Sequence, residues 1–424
     1  MQTQAMIMTS EILVMFVILV ITAMLFARIS EVIKVPDVVL YLLAGIIIGP
    51  SVLNLVSIDH YPLGNQLILT FGSAFILYEG GREVKLRVLN DIKTSVSLLS
   101  TLGVVISAAV VGFAAIYIFK IPMIYGLLLG AVVASTDPAT LVPVFKKIKI
   151  KERVKQTVIS ESAFNDAVGA ILVVAILAVI NSGTFSITAN LKTLGVMIFG
   201  GIAVGVAVGV LFSILISDTK YGYFHDFAPI LSLVTVATSF VLAEELGGSG
   251  YMATFVTGLI CGNKKVFKLW VPETDFVSQM HFRETVALLM RMSIFILLGT
   301  HVDFVSLAKY WQQSLVFVLL LMLVARPISV LICTLPDRKV KWSSKELMFI
   351  MWVRETGVIP AALSSIIVAM KMPYSDIISS AVFMTILVTL LIQASTTKMF
   401  ADKLGLLEPN EDFEREKKLK PLLG

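Results

Sequence analysis

Ile159-Ser160-Glu161-Ser162-Ala163-Phe164-Asn165-Asp166 sets two carboxylates, two hydroxyls and an amide inside a segment that otherwise reads as membrane-spanning. A second interruption, Ser135-Thr136-Asp137-Pro138, comes earlier, its aspartate 29 positions before Asp166. A charged group at bilayer depth costs about 2.5–3.5 kcal/mol on insertion scales, so it is retained where it binds or moves something. Two acid-bearing breaks in apolar segments point to transport of a small cation.

The surrounding composition fixes the class. The chain has 424 residues, 57% hydrophobic and 15% charged, with a mean hydropathy of +0.91. Soluble domains are far less apolar; an all-α polytopic membrane protein fits, because each helical span needs about 20 apolar residues. Unbroken apolar runs such as 98–119 exclude a β-barrel, whose strands alternate. Cys261 and Cys333 sit in separate apolar segments, which argues against a disulfide framework or a zinc site. The first apolar segment has no basic region before it and no small-residue cleavage site, so it reads as a first span rather than a signal peptide.

Thirteen apolar segments can be counted, near 7–29, 36–54, 64–80, 95–119, 122–145, 156–180, 192–216, 226–246, 250–262, 284–301, 312–335, 346–370 and 377–397. With the N-terminus outside, 27 of the 34 lysines and arginines fall in inward loops and the tail. Four fall outside, and three (Arg291, Arg326 and Arg354) lie within spans. That asymmetry predicts an outside N-terminus and a cytoplasmic C-terminus. It also accounts for the net charge of +5 without a nucleic-acid partner. Segments five and twelve share a signature of polar residues and a mid-span proline: Thr136-Asp137-Pro138-Ala139-Thr140, and Arg354-Glu355-Thr356-Gly357 with Pro360. Proline removes a backbone donor and pushes the preceding residue out of helical geometry. Two such broken helices in corresponding halves of a chain predict inverted repeats with a midplane site.

In segment six taken as a helix, Ser162, Asn165, Asp166 and Gly169 share one face, with Glu161 on its flank. Ala163, Ala167 and Ile171 lie opposite, so one polar stripe points inward with Asp166 at its centre. Desolvation favours the protonated carboxyl, whereas a bound Na⁺ favours the charged one. Proton and cation then compete for a single group, which is all an exchanger requires. Hard monovalent cations take oxygen ligands, and Asp166, Asp137, Ser162 and the freed carbonyls around Thr136 supply them. Asn165 beside Asp166 leaves one acid instead of two, predicting one proton per cation and electroneutral exchange.

Other polar residues have structural readings. Asp137 also suits a helix cap at a kink, and Glu79 an interfacial acid near Arg82, although it is kept among the cation- and proton-binding candidates. Glu161 is expected to pair with an in-membrane arginine, Arg354 preferred. Arg291 and Arg326 read as scaffold charges, because a cation site repels them. Gly201, Gly205 and Gly209 recur every four residues and let helices approach closely, with packing inside the bundle preferred to a dimer seam as the alternative.

These residues carry a family resemblance over nearly the whole chain. The stretch KVPDVVLYLLAGIIIGP from Lys34 to Pro50 resembles the second span of the NhaP-type sodium/proton antiporters of the monovalent cation:proton antiporter-1 family. In the same order follow Leu77-Tyr78-Glu79-Gly80-Gly81, the Thr136-Asp137-Pro138 break, and Glu161 to Asp166. Phe295 to Gly299, Ala325-Arg326-Pro327 and Gly357 to Leu363 complete the series. The resemblance implies that Asp166 is the exchanging carboxylate, that Asp137, Ser162 and the Thr136 backbone complete a Na⁺ site, and that Asn165 holds the broken helix. It implies that Glu161 pairs with an arginine of segment twelve. In the family that arginine commonly precedes the glycine directly, where this chain has Thr356, with Arg354 two positions earlier.

It further implies a homodimer in which a six-helix core moves against a dimerisation domain. The expected organisation is one transmembrane unit over 1–397 and a short cytoplasmic tail at 398–424. Its core or transport bundle would include about 64–180 and 284–370, the dimerisation bundle the remaining spans. The expected function is exchange of Na⁺ or Li⁺ for H⁺ across a prokaryotic inner membrane, with membrane lipid as surroundings and no cofactor beyond the transported ions. A K⁺/H⁺ antiporter of the same fold is the alternative. An intramembrane aspartyl protease would need a Gly-x-Gly-Asp-type signature and a tyrosine-aspartate pair, which Asp137 and Asp166 lack. A channel would show a continuous pore-lining sequence, whereas these polar groups concentrate at one depth.

Overall fold

Apolar periodicity, proline and short polar caps account for the helices of the computed structural model. It describes residues 4–33, 37–56, 62–137, 145, 150–182, 187–217, 223–264, 266, 273–300, 304–337 and 339–407. Pro138, Ala139 and Thr140, the first three residues (34–36) of the second-span stretch and the tail beyond 407 lie outside the described residues. Fourteen helices are labelled here: α1 (Gln4–Ile33), α2 (Asp37–Ile48), α3 (Pro62–Glu83), α4 (Leu86–Phe119, kinked at Thr101), α5 (Met123–Ala134), α6 (Glu152–Ser182) and α7 (Ile187–Leu215). They continue with α8 (Ala228–Glu245), α9 (Gly250–Gly262), α10 (Glu273–Thr300), α11 (Phe304–Thr334), α12 (Ser344–Trp352), α13 (Val358–Ala369) and α14 (Ser375–Lys403).

Each of the thirteen apolar segments meets a described helix, and the twelfth is split into α12 and α13. Seven helices among the described residues are long and apolar enough to cross a membrane unaided; α2, α5, α9 and α13 are apolar but shorter. The chain is thus an all-α membrane protein. α14 runs on to Lys403, so the first residues assigned to the tail continue the last helix.

Local chemistry sets the ends. Ser343 and Glu346 form a reciprocal capping box on α12, each side chain bonding the other's backbone N–H, at 3.3 and 3.0 Å. Ser249 caps α9 by accepting the Met252 N–H at 3.2 Å. In α11 the turn Leu321–Ala325 widens to π geometry just before Arg326-Pro327, with the Arg326 N–H bonding back to the Leu321 carbonyl. Proline cannot continue the regular ladder, and such a bulge re-aims the residues that follow it.

Packing gathers the breaks at the centre. α4 lies along α5 and α6, α11 along α14, and α13 along α14. α14 therefore closes on the second break, although the sequence reading left it outside the transport bundle. On the other side α9 packs against α3 and α7. The Gly201, Gly205 and Gly209 row faces α9 of the same chain: a Cβ on Gly205 would stand 2.6 Å from the Ala253 carbonyl oxygen. That row is packing within the bundle. Cys261 and Cys333 are free and buried.

Candidate functional site

The site begins where α5 stops. Ala134 ends the helix, Ser135 is extended, and the chain runs on through Thr136 and Asp137 without helical bonding. Asn165 of α6 replaces what the break removes. Its Oδ1 accepts the Thr136 N–H at 3.0 Å, and its Nδ2 donates to Thr136 Oγ1 at 2.9 Å. Thr136 Oγ1 in turn donates to Ser162 Oγ at 2.9 Å. Three candidates from the sequence therefore form one buried network, in which the amide clamps the broken backbone.

A second break meets the first. Between α12 and α13, Val353–Gly357 is non-helical. The Glu355 carbonyl accepts the Asp137 N–H at 2.9 Å, so the two extended stretches cross in direct backbone contact. Gly357 lies against the Asp137 side chain so closely that a Cβ there would overlap the carboxylate. The Thr356 N–H finds Thr389 Oγ1 of α14 at 3.2 Å, and Gln393 of α14 donates to the Trp352 carbonyl at 2.6 Å. In this way α14 supplies backbone partners that neither half-helix retains. That satisfaction is obligatory at membrane depth.

Two arginines serve the half-helix ends. Arg354 is 1% exposed, and its Nη2 donates to the Val133 and Ala134 carbonyls at 2.7 and 3.0 Å. It covers the C-terminal carbonyls of α5, where the helix dipole is negative. Arg326 donates from Nε and Nη2 to the Ile350 carbonyl of α12 at 3.2 and 2.8 Å. The expected Glu161–Arg354 pair is corrected here. Glu161 instead takes a two-pronged ion pair from Arg326, with Nη1 on Oε1 and Nη2 on Oε2 at 3.0 Å. The reason is local: Val353–Gly357 is extended, so helical facing rules do not apply to Arg354, while the π turn before Arg326 aims that side chain at α6.

Asp166 is 3% exposed, and its Oδ1 has no hydrogen-bond partner among the described residues. Asp137, at the neighbouring break, is likewise buried, 2% exposed. No ion pair to Asp166 is formed among the described residues, whereas Glu161 is fully engaged. A desolvated carboxylate left in this condition demands a proton or a cation. Among the described residues no group of three or more His, Cys, Asp and Glu is arranged to hold a metal ion by itself. A cation here would be held by carboxylates together with hydroxyl and carbonyl oxygens, a hard-ion donor set.

Glu79 stands apart from this network. Its Oε1 accepts from Arg283 Nε at 2.9 Å, with Arg82 Nε at 3.7 Å. Its place is thus in an arginine cluster at the end of α3, not among the bonded partners of Thr136, Ser162 and Asn165. Two buried groups escaped the sequence reading of the site: Glu355, fully buried with Oε2 lacking a partner among the described residues, and Thr356, whose buried Oγ1 likewise lacks one among them. The signal was available, since both sit in the quoted Arg354-Glu355-Thr356-Gly357 signature. Arg291, read as a scaffold charge, bonds Asp37 Oδ2 at 3.0 Å.

A family model described as "Sodium/hydrogen exchanger, transmembrane" matches residues 16–403. The chain is similar to the Na⁺/H⁺ antiporter 1 of Methanocaldococcus jannaschii, 30% identical over 406 residues that cover 90% of this chain and 92% of the relative. It is also similar to the K⁺/H⁺ antiporter NhaP of Alkalimonas amylolytica, 27% identical over 94% of this chain and 67% of that one. Among solved structures, the sodium proton antiporter MjNhaP1 from Methanocaldococcus jannaschii at pH 8 superposes with a TM-score of 0.80 and 28% identity. The match covers 95% of this chain and 99% of that one.

Proposed function

This chain belongs to the sodium/hydrogen exchanger family, and from that premise we propose that it exchanges Na⁺ (or Li⁺) for H⁺ by competition of the two ions for Asp166. The observation that supports this reading most is the buried Asp166 Oδ1, without a hydrogen-bond partner among the described residues, beside two crossed helix breaks. In the proposed cycle a proton neutralises Asp166 while the site faces one side. On the other side Na⁺ displaces the proton, held by Asp166, Asp137, Ser162 Oγ and the Thr136 carbonyl. Thr136 already directs its hydroxyl proton to Ser162 Oγ, and its backbone N–H is taken by Asn165. Its carbonyl needs no rearrangement of those donors to accept a cation. Neither Glu161 nor Arg326 carries the ion; they brace the bundle.

Asn165 spends its amide on the Thr136 backbone N–H and hydroxyl, so Asp166 alone in this pair exchanges a proton, and the exchange is proposed to be electroneutral. The transport bundle is proposed to combine α4–α6 with α11–α14, which pack around the breaks. α1 presents Leu13, Val14, Phe16, Val17 and Ile21 outward, an apolar face suited to lipid or to a second copy in a homodimer. The orientation proposed has the N-terminus outside and the C-terminus in the cytoplasm. K⁺ as substrate is the second reading, favoured by the K⁺/H⁺ antiporter among the relatives.

Vesicles containing the purified protein and a pH-reporting dye test all of this together. Na⁺ and Li⁺ are expected to drive proton movement at lower concentration than K⁺, and clamping the membrane potential is expected to alter the rate less than about twofold. A lower half-saturating concentration for K⁺ would move the assignment to the second reading. Strong voltage dependence would contradict one-for-one exchange.

A further inference from the structure

Away from the crossed breaks, three basic side chains gather where α9 and α10 each pack against α3. Asn263, just after α9, donates Nδ2 to the Val84 carbonyl at 2.8 Å, and its Oδ1 accepts the Leu86 N–H at 3.0 Å. The turn after α9 is thereby stapled to the turn after α3. Gly262 permits the approach: a Cβ there would stand 2.5 Å from the Arg82 carbonyl oxygen. Lys264 is thus held within Coulombic reach of Arg82 and of Arg283.

Their charges are not balanced. Arg82 and Arg283, with side chains only 10% and 5% exposed, share the single carboxylate Glu79. Arg82 Nη1 also donates to Tyr78 Oη at 3.3 Å. Among the described residues no carboxylate lies within ion-pair distance of Lys264, and the two terminal nitrogens of Arg283 make no hydrogen bond. Among the ion pairs of the described residues these three positive charges face one negative one, Glu79, and the C-termini of α3 and α9 add roughly half a negative charge each. With Lys264 protonated, about one positive charge is left uncovered in a mostly desolvated setting, and with it deprotonated the cluster is close to neutral. Burial chiefly, with repulsion from Arg82 and Arg283 that the Cys261 thiol offsets in part, brings the Lys264 ammonium down to about 7.

We propose that Arg82, Lys264 and Arg283 form an oxyanion site that takes a phosphate group. Guanidinium forks match phosphate oxygens in bidentate fashion, and the terminal nitrogens of Arg283 together with the Lys264 ammonium supply donors within Coulombic reach of one another. Anionic phospholipid headgroups lie at the depth of these helix ends, and free phosphate offers the same chemistry. The ligand would neutralise the surplus charge and tie α9 to α3 and α10.

The test uses the full chain in a neutral detergent, with choline salts so that no transported ion is varied. Thermal stability is followed on titration with short-chain phosphatidylglycerol, short-chain phosphatidylcholine or inorganic phosphate. The expected result is saturable stabilisation by phosphatidylglycerol and not by phosphatidylcholine, weakened about fivefold in apparent affinity by Lys264→Gln and restored by Lys264→Arg. Binding of phosphatidylglycerol alone supports a lipid headgroup, and binding of inorganic phosphate as well supports the phosphate group itself as sufficient. Wild-type protein provides an independent check, because binding should weaken as choline chloride rises. Equal effects of the two lipids, or an affinity that Lys264→Gln leaves unchanged, would overturn the site.

Discussion

Replacing Asp166 by asparagine is expected to reduce Na⁺-driven proton movement in reconstituted vesicles to background, a loss of about a thousandfold or more. Asparagine keeps the volume and one oxygen, so the bundle should fold, as thermal unfolding can verify. What disappears is the charge. A pair of unit charges about 4 Å apart at an effective dielectric of about 20 is worth roughly 4 kcal/mol, close to a factor of a thousand in affinity. The amide also cannot carry the exchanged proton, so both halves of the cycle fail together. Asp137 does not substitute, because its backbone is fixed at the crossing by the Glu355 carbonyl and its side chain is hemmed in by Gly357. Exchange within tenfold of wild type would show that the ion is carried elsewhere.

The second large effect concerns stability. Glu161→Gln or Arg326→Gln is expected to cost about 3–5 kcal/mol, because each leaves its partner charged, buried and alone. Thermal unfolding in detergent should fall by on the order of 3–6 °C. The Glu161→Met/Arg326→Met double variant should recover much of that loss, since an apolar pair of similar volume is often tolerated where a single survivor is not. Recovery will be incomplete if the Ile350 carbonyl, which Arg326 also serves, is left without a donor. A double-mutant cycle separates the two arginines: Glu161 should couple strongly to Arg326, whereas Glu161 and Arg354 variants should be nearly additive. Strong coupling to Arg354 would contradict the observed pairing.

The membrane class, the two breaks and the inward stripe of α6 were all readable from residue types and spacing. Ser162, Asn165 and Asp166 needed only a helix over 152–182, which the structure provides. Thr136 needed only a non-helical residue beside that stripe. The arginine assignment was not readable, for a definite reason. Reasoning from 100° per residue presupposes a helix, and Arg354 sits in an extended segment whose side chains follow no such rule. Arg326 was legible as a buried charge but not as Glu161's partner, because a single π turn changes the direction in which it points. Glu79 lay near Asp166 in motif order alone; three-dimensional packing gave it to Arg283 and Arg82. Glu355 passed without a role because its neighbours in the signature drew the interpretation, yet its carbonyl is the backbone acceptor that joins the two breaks. Sequence patterns locate polar groups along a span, but which of several partners each one meets depends on how irregular turns redirect them.

Cation binding measured by titration calorimetry across a series of buffers of falling pH bears most directly on single-carboxylate competition. Once the buffer is acidic enough to protonate the site, apparent Na⁺ affinity should fall about tenfold per pH unit, and each ion bound should release close to one proton. An affinity that stays constant through acidification, with no proton released, would contradict it.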